Sequence, residues 1–309
     1  MSESEPAQRP AGRPGRLTVG VVGTGRVGAV LGAALAGAGH RVIAASAASD
    51  SSRARAEAML PGARLLPPQD TVSTVDLALL AVPDDVLPSL AAGLAEIGAV
   101  RNGQLVAHTS GRYGVGVLEP VTALGALPLA LHPVTTFTGT SLDLGRLPGC
   151  RFGVTTPPVL RPIAEGLVIE MGGEPVWVPE ERRVLYHAAL TVGADHVVTL
   201  VAQAADLLRR AGLPDVEDLL APLVHAAVDQ ALAAPGTRVG PVVRGDADTV
   251  GAHRAELDRT SPAAAAAYVP LARLTADRAL AAGVLTPDQA EALLDVLAGD
   301  IRDRRDGDR

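Results

Sequence analysis

Leu17-Thr18-Val19-Gly20-Val21-Val22-Gly23-Thr24-Gly25-Arg26-Val27-Gly28 decides how this chain of 309 residues is read. The short β-branched run from Leu17 to Val22 ends in glycines and reads as a buried first strand. A helix of small residues follows, from about Arg26 to Ala38, and Gly39 closes it. Glycines at 23, 25 and 28, between such a strand and such a helix, form the pattern of a diphosphate-binding turn. The first permits the tight turn, the second lets backbone approach a pyrophosphate, and the third lets the helix pack closely on the strand. Amides at the helix start, aided by its dipole, then face the anion. Gly23, Thr24, Gly25, Arg26, Val27 and Gly28 are therefore the candidate contacts to a nicotinamide dinucleotide.

The second strand, Arg41 to Ala45, bears on which dinucleotide. Sites for NAD place an Asp or Glu about 20 residues past the turn, on the ribose hydroxyls. Here that position falls in Ala44-Ala45-Ser46-Ala47, which holds no acid. Ser46, Ser49 and Arg53 or Arg55 follow. A hydroxyl beside an arginine would accept a 2′-phosphate that a carboxylate would repel, so the reading favours NADP(H), with Ser46 and Arg53 as candidates. A shifted register could instead bring in Asp50 and admit NAD(H). The two arginines equally suit a solvated helix face.

Further apolar runs read as strands at Leu77–Val82, Leu105–His108, Ala126–Leu131, Arg151–Val154 and Pro175–Val178. Helical stretches separate them. Asp84 and Asp85 sit where one such helix should start, at the positive end of its dipole. Alternation at short spacing from Leu17 to Val178 predicts an α/β domain of Rossmann type, a parallel sheet covered by helices. From Glu180 to about Asp303 the pattern turns helical. Breaks at Gly212–Pro214, Ala234–Gly240, Pro262 and Gly283–Pro287 give roughly five helices. The expected organisation is a disordered tail at 1–15, a nucleotide-binding domain at 16–179, an all-α domain at 180–303 and a short tail at 304–309.

Ligands of open α/β sheets bind beyond the carboxyl ends of the strands. Val82 and Pro83 should line that cleft through their backbone. Ser110 could bond a substrate carboxylate or carbonyl, or serve as a turn hydroxyl before Gly111. His132 could orient a substrate or donate a proton, or anchor its loop. His187, Thr191 and Asp195 are spaced by four and should share one helical stripe. Ionisable groups there are costly to bury unless paired or used, so His187 and Asp195 are candidate proton donors or bonds between helices. Arg244, in Gly240-Pro241-Val242-Val243-Arg244-Gly245-Asp246, could fork onto a carboxylate or bridge to Asp246. The histidines show no close pair with ligand spacing and one Cys gives no thiolate cluster, so no metal site is expected. Ser110 lacks a nucleophile elbow.

Composition narrows the rest. The net charge is −7 and all 27 basic residues are arginine. A nucleic-acid binder would carry a basic stripe, whereas Arg302, Arg304 and Arg305 alternate with Asp. A single cysteine, Cys150, suits a reducing, cytoplasmic setting. The polar, Pro-rich start lacks the apolar stretch of a signal peptide. No uninterrupted apolar run of about 20 residues predicts a membrane span.

An ordered set of motifs spans nearly the whole chain after Arg16. Gly23–Gly28, Ala-Val-Pro-Asp-Asp at 81–85, His-Thr-Ser-Gly at 108–111, Leu-His-Pro at 131–133, Tyr-His-Ala-Ala at 186–189 and the segment at 240–246 together resemble a family of Rossmann-like proteins. Its C-terminal helical domain is of unknown function. That family is similar to pyrroline-5-carboxylate reductase, ketopantoate reductase and the β-hydroxyacid dehydrogenases. The resemblance implies a C-terminal domain like that of 6-phosphogluconate dehydrogenase, an active site between domains and a homodimer formed through the helical domain. It also implies an NADP-linked reductase of a small molecule, a ketopantoate-like 2-oxo acid or an imine. Two departures stand out. The resemblance leads one to expect Asn where Asp195 stands, and the related dehydrogenases use a Lys on this helix, whereas this chain contains none. His187 is the nearest substitute. An Asp there is similar to imine reductases, where a carboxyl group can stabilise an iminium. The missing lysine also leaves open a non-catalytic nucleotide sensor or scaffold.

Overall fold

The computed structural model describes residues 15–233 and 240–299. The expected tails, apart from Gly15, and most of the break at Ala234–Gly240 lie outside those residues. Contacts divide the chain into two compact units, Met1–Thr191 and Val192–Arg309.

The first unit is an α/β domain. Its elements run β1 (Thr18–Val22), α1 (Arg26–Gly37), β2 (Arg41–Ser46), α2 (Asp50–Met59), β3 (Arg64–Leu65), α3 (Pro68–Ser73), β4 (Leu77–Leu80), α4 (Leu87–Glu96), β5 (Leu105–His108), α5 (Glu119–Thr122), β6 (Leu127–Pro133), β7 (Arg151–Thr155), α6 (Arg161–Glu170), β8 (Glu174–Trp177) and α7 (Arg183–Gly193). The eight strands lie in the order β3-β2-β1-β4-β5-β6-β7-β8. All neighbouring pairs are parallel except β6 with β7, which run antiparallel with His132 opposite Gly153. The carboxyl ends of β1, β4, β5 and β6 therefore share one edge of the sheet.

Alternation along the strands builds a core on each face. Val19 and Val21 pack with Leu31, Leu35, Leu129 and Phe152 on one side. Val22 packs with Leu80, Leu87, Val106 and Leu118 on the other. Buried Gln104 ties the start of β5 to the preceding corner. Its amide donates to the carbonyls of Val72 (2.7 Å) and Val75 (2.8 Å), and its oxygen accepts from the Arg101 amide at 3.0 Å.

The second unit is helical: α8 (Asp195–Arg210), α9 (Val216–Ala233), α10 (Ala247–Thr260), α11 (Pro262–Ala281) and α12 (Pro287–Ala298). Val250, Ala272, Ala276, Leu293 and Leu297 form the core of α10, α11 and α12. In contrast, α8 buries only Ala205 and α9 only Val216.

The structure revises several expectations. Strand β3 and helix α3 were not foreseen: the strand has two residues, and α3 starts behind Pro67-Pro68 with no apolar period. Helix α4 begins at Leu87, so Asp84 and Asp85 stand in the turn before it rather than at its start. Six helices follow Glu180 among the described residues, not roughly five. The additional break separates His187 from Asp195. Helix α7 ends at Gly193, a poor helix former, Ala194 takes φ −117° and ψ −67°, and Asp195 opens α8, where its charge suits the dipole. The single stripe of His187, Thr191 and Asp195 therefore does not exist.

Replacing Gln104 with Leu keeps the volume but orphans the buried carbonyls it bonds. Urea unfolding of Gln104→Leu is expected to show a loss of about 1–3 kcal/mol. An unchanged midpoint and slope would contradict this role.

Candidate functional site

The glycine turn is built as its spacing requires. Gly23 has φ +92°, a left-handed conformation open to glycine. A Cβ at Gly23 would lie 2.5 Å from the Ala81 carbonyl oxygen, and one at Gly28 would collide with the Gly23 carbonyl. The Gly23 and Thr24 amides both donate to the Ser46 carbonyl at 3.1 Å. The buried Thr24 hydroxyl turns away to the Ser52 carbonyl at 2.9 Å. These two residues hold the turn, while Gly25, Arg26 and Val27 face the cavity in front of it. A Cβ at Gly25 would meet no atom within 4 Å. A glycine cradle at a helix N-terminus suits a diphosphate.

That cavity, of about 540 Å³, is also lined by Val82, Pro83 and Asp84 after β4, by Ser110 and Gly111 after β5, by His132 and Phe137, and by His187 of α7. A second cavity of about 290 Å³ lies at the end of β2, between Ser46, Arg53 and Leu65–Pro68. Asp50 does not line it: its carboxylate is fully exposed at the start of α2, 3.8 Å from Arg53. The loop after β6 comes down on Arg26 and Arg55 at Gly139.

Three histidines have distinct environments. The fully buried His108 accepts the Ser110 amide at Nδ1 (3.2 Å), so its proton sits on Nε2 and is donated to the Gly114 carbonyl at 2.8 Å. Burial lowers its pKa to about 4. His132 has Nδ1 2.8 Å from the Tyr186 hydroxyl. Burial first, then the Arg183, His187 and His108 charges, lowers it to about 4. His187 packs edge-on to His132 with ring centroids 5.9 Å apart. A Cβ at Gly111 would stand 3.0 Å from the Nε2 atoms of both His132 and His187. The two nitrogens converge where that glycine leaves room. Ser110 Oγ accepts the Tyr113 amide at 3.1 Å, so its hydroxyl shapes the turn while lining the cavity.

Helix α7 is inverted. Arg183, Tyr186, His187, Leu190 and Thr191, at helical spacing, form its inward stripe, whereas Val184 (71% exposed) and Leu185 (64%) face outward. Arg183 is 1% exposed. One guanidinium nitrogen donates to the Gly153 carbonyl at 3.3 Å, and its Nε and Nη2 have no partner among the described residues. The nearby Glu180 carboxylate accepts the Val115 and Gly116 amides at 2.8 and 3.0 Å.

Ser110, His132 and His187 thus come together on one cavity with Gly25–Val27, Val82 and Pro83. Asp195 and Arg244 belong to the second unit. Asp195 is an exposed first residue of α8. Arg244 is 65% exposed and 3.9 Å from Asp246, whose main partner is the Thr249 amide it caps at 3.1 Å. Sequence reasoning missed Tyr186 and Arg183 as members of the site. Their spacing to His187 was available, but the partners opposite them were not.

Residues 3–133 match the family of Rossmann-like domains, and residues 150–275 match a domain of unknown function, DUF2520. The chain thus carries a Rossmann-like domain followed by a DUF2520 domain. No curated protein matches it. A proposed NADP oxidoreductase of Bacteroides fragilis is similar at 20% identity, with TM-score 0.72 over 85% of this chain and 98% of the other. An imine reductase of Streptomyces aurantiacus is 19% identical, with TM-score 0.62 over 90% and 99%. A pyrroline-5-carboxylate reductase of Coxiella burnetii is 17% identical, with TM-score 0.51 over 90% and 99%. At these identities the likeness is one of fold.

His108 gives this site an acid-sensitive anchor. In the unfolded chain it titrates near 6.5, and in the fold near 4. Stability is therefore complete above the higher value and declines as pH falls towards the lower one, by about 3 kcal/mol for this residue. His108→Gln keeps a donor and cannot titrate. Between pH 7 and pH 4 its unfolding free energy should fall by about 3 kcal/mol less than that of the wild type. Parallel losses in denaturant titrations would refute the assignment.

Proposed function

We propose that the chain is an NADP(H)-dependent reductase of a small carbonyl or imine compound. The observation that carries the reading is the shared cavity, where a glycine turn with open helix amides meets His132 and His187. The oxidoreductases named among the similar structures support it. When bound, the nicotinamide would supply the hydride. The protein holds the diphosphate at Gly25–Val27, orients a small substrate between Ser110, His132 and His187, and provides a proton. With no lysine in the chain, that proton has to come from another group, and the histidines stand nearest the turn.

Ser46 and Arg53 on an acid-free cavity support NADP(H) over NAD(H), since a guanidinium can fork onto a phosphate. NADPH should quench or enhance fluorescence on binding at lower concentration than NADH. Arg53→Ala should weaken NADPH about tenfold or more, equivalent to about 1.4 kcal/mol, and leave NADH unaltered. Gly25→Val should abolish binding of both without lowering the melting temperature. Screening NADPH oxidation against 2-oxo acids and cyclic imines then tests turnover. Binding without turnover across both sets would favour a non-catalytic nucleotide sensor.

The reading includes a homodimer through the helical unit. Val198 (70% exposed), Leu219 (54%), Leu223 (67%) and Leu232 (77%) leave α8 and α9 with broad apolar faces, which water alone does not stabilise. The stretch Glu180–Arg210 is also long and apolar enough, by composition, to cross a membrane. Every 18-residue window of it contains Asp195, at a cost of about 2.5–3.5 kcal/mol near a bilayer centre, so a second copy is the better occupant. Sedimentation of the wild type should give a dimer, and Leu223→Glu should shift it to monomer. A monomeric wild type would overturn this part.

A further inference from the structure

The buried Arg183 and the half-buried Tyr186 and His132, the last lining the cavity, form one array. Arg183 has two guanidinium nitrogens without partners, and no carboxylate pairs it among the described residues. Its Cζ lies 5.8 Å from the centroid of the Tyr186 ring. The Tyr186 hydroxyl meets His132 Nδ1 at 2.8 Å, and His132 Nε2 points to the gap at Gly111 that His187 also faces. A buried, unpaired cation is costly, and such groups call for an explanation. Pairing it would have been simple, because Glu180 is close, yet that carboxylate is held by backbone amides.

Resting on the reductase reading above, we propose that Tyr186 relays a proton through His132 to a substrate carbonyl oxygen, with Arg183 as counter-charge to the tyrosinate left behind. The carbonyl carbon takes the hydride of reduced nicotinamide, and the C=O π electrons move to oxygen. That oxygen takes the proton from His132 Nε2, and Nδ1 takes the phenolic proton of Tyr186. Water afterwards gives a proton to Nε2 while Nδ1 returns its proton to the tyrosinate oxygen, and hydroxide leaves to solvent. Each residue returns to its starting state, and the reduced nucleotide supplies both electrons.

The Arg183 charge favours tyrosine as the donor in this transfer. A cation beside the phenol makes it the better donor, so the hydroxyl donates to Nδ1 and the imidazole proton rests on Nε2. Burial lowers His132 and raises Tyr186, so it opposes a separated tyrosinate–imidazolium pair and requires the two protons to move together, while Arg183 opposes the rise in Tyr186. The titratable groups facing the pair are His108 from β5, Arg183 and His187 from α7, and Cys150 before β7. None of them is an anion at neutral pH, and the one carboxylate lining the cavity, Asp84, belongs to the turn after β4 rather than to this array, so the pair suits an oxygen gaining negative charge better than a preformed iminium.

Two measurements test the relay. The first needs no nucleotide: ¹⁵N-histidine and ¹³Cζ-tyrosine NMR of the full chain. His132 should be neutral at pH 6–8 with its proton on Nε2, and Tyr186→Phe should mix its tautomers. Arg183→Met should raise the Tyr186 pKa by about 1–3 pH units. Because it removes a buried charge that no carboxylate pairs among the described residues, it should also melt at the same or higher temperature. A wild-type proton on Nδ1, or a Tyr186 pKa indifferent to Arg183→Met, overturns the relay. The second is turnover of NADPH with pyruvate, 2-oxobutanoate and 2-methyl-1-pyrroline. A 2-oxo acid should be the better substrate, and Tyr186→Phe should lower kcat about 10²-fold or more with KM and NADPH affinity kept. Wild-type kcat in Tyr186→Phe, or turnover of the imine alone, overturns the relay. Failure of the wild type to turn over any probe overturns the reductase reading itself.

Discussion

Helix α7 presses a polar stripe onto the ends of β5 and β7, and it can do so only where those segments lack side chains. A Cβ at Gly111 would run into the His187 ring, and a Cβ at Gly153 would run into the Tyr186 hydroxyl. The antiparallel turn of β7 puts Gly153 opposite His132, so the same contact that seats Tyr186 brings its oxygen to His132. The glycine turn obeys the same rule, since Gly28 must clear the Gly23 carbonyl for α1 to reach the sheet. Close approach of backbone to side chain is what makes a cavity bounded by both a helix N-terminus and imidazoles.

Electrostatics then separates groups of the same type. His108 and His132 are both driven neutral by burial, but their outlets differ. Both nitrogens of His108 are spent on backbone, so it fixes the loop carrying Ser110 and Gly111. Among the described residues His132 spends only Nδ1, and its other nitrogen stands at the gap beside Gly111. Arg183 carries the converse cost: it stays buried without the carboxylate that stability alone would supply. Natural proteins tolerate such costs where function uses them.

Much of the fold was legible because it rests on period and on glycine. β1, the turn and α1 follow from Leu17–Gly28, and the strands at Leu77, Leu105, Leu127 and Arg151 follow from apolar runs of strand length. What was not legible lacks local signal. A two-residue strand such as β3 has no period to detect. The antiparallel reversal between β6 and β7 is set by the path of the connecting loop, which residue pattern does not reveal. The stripe through His187 and Asp195 failed because spacing by four assumes one unbroken helix, and Gly193 ends it.

The site was half legible for a related reason. Ser110, His132 and the turn sit at strand ends, where topology alone places function. Arg183 and Tyr186 sit on a helix that also carries the apolar Val184 and Leu185. The amphipathic rule assumes the apolar face is the buried one. Here the apolar Val184 and Leu185 face outward and Arg183, Tyr186 and His187 face inward, which the rule does not anticipate. An inverted helix needs two explanations at once: something polar for its inner side to act on, and something apolar to cover its outer side. The cavity lined by His132 and His187 meets the first need, and the proposed second copy of the chain would meet the second.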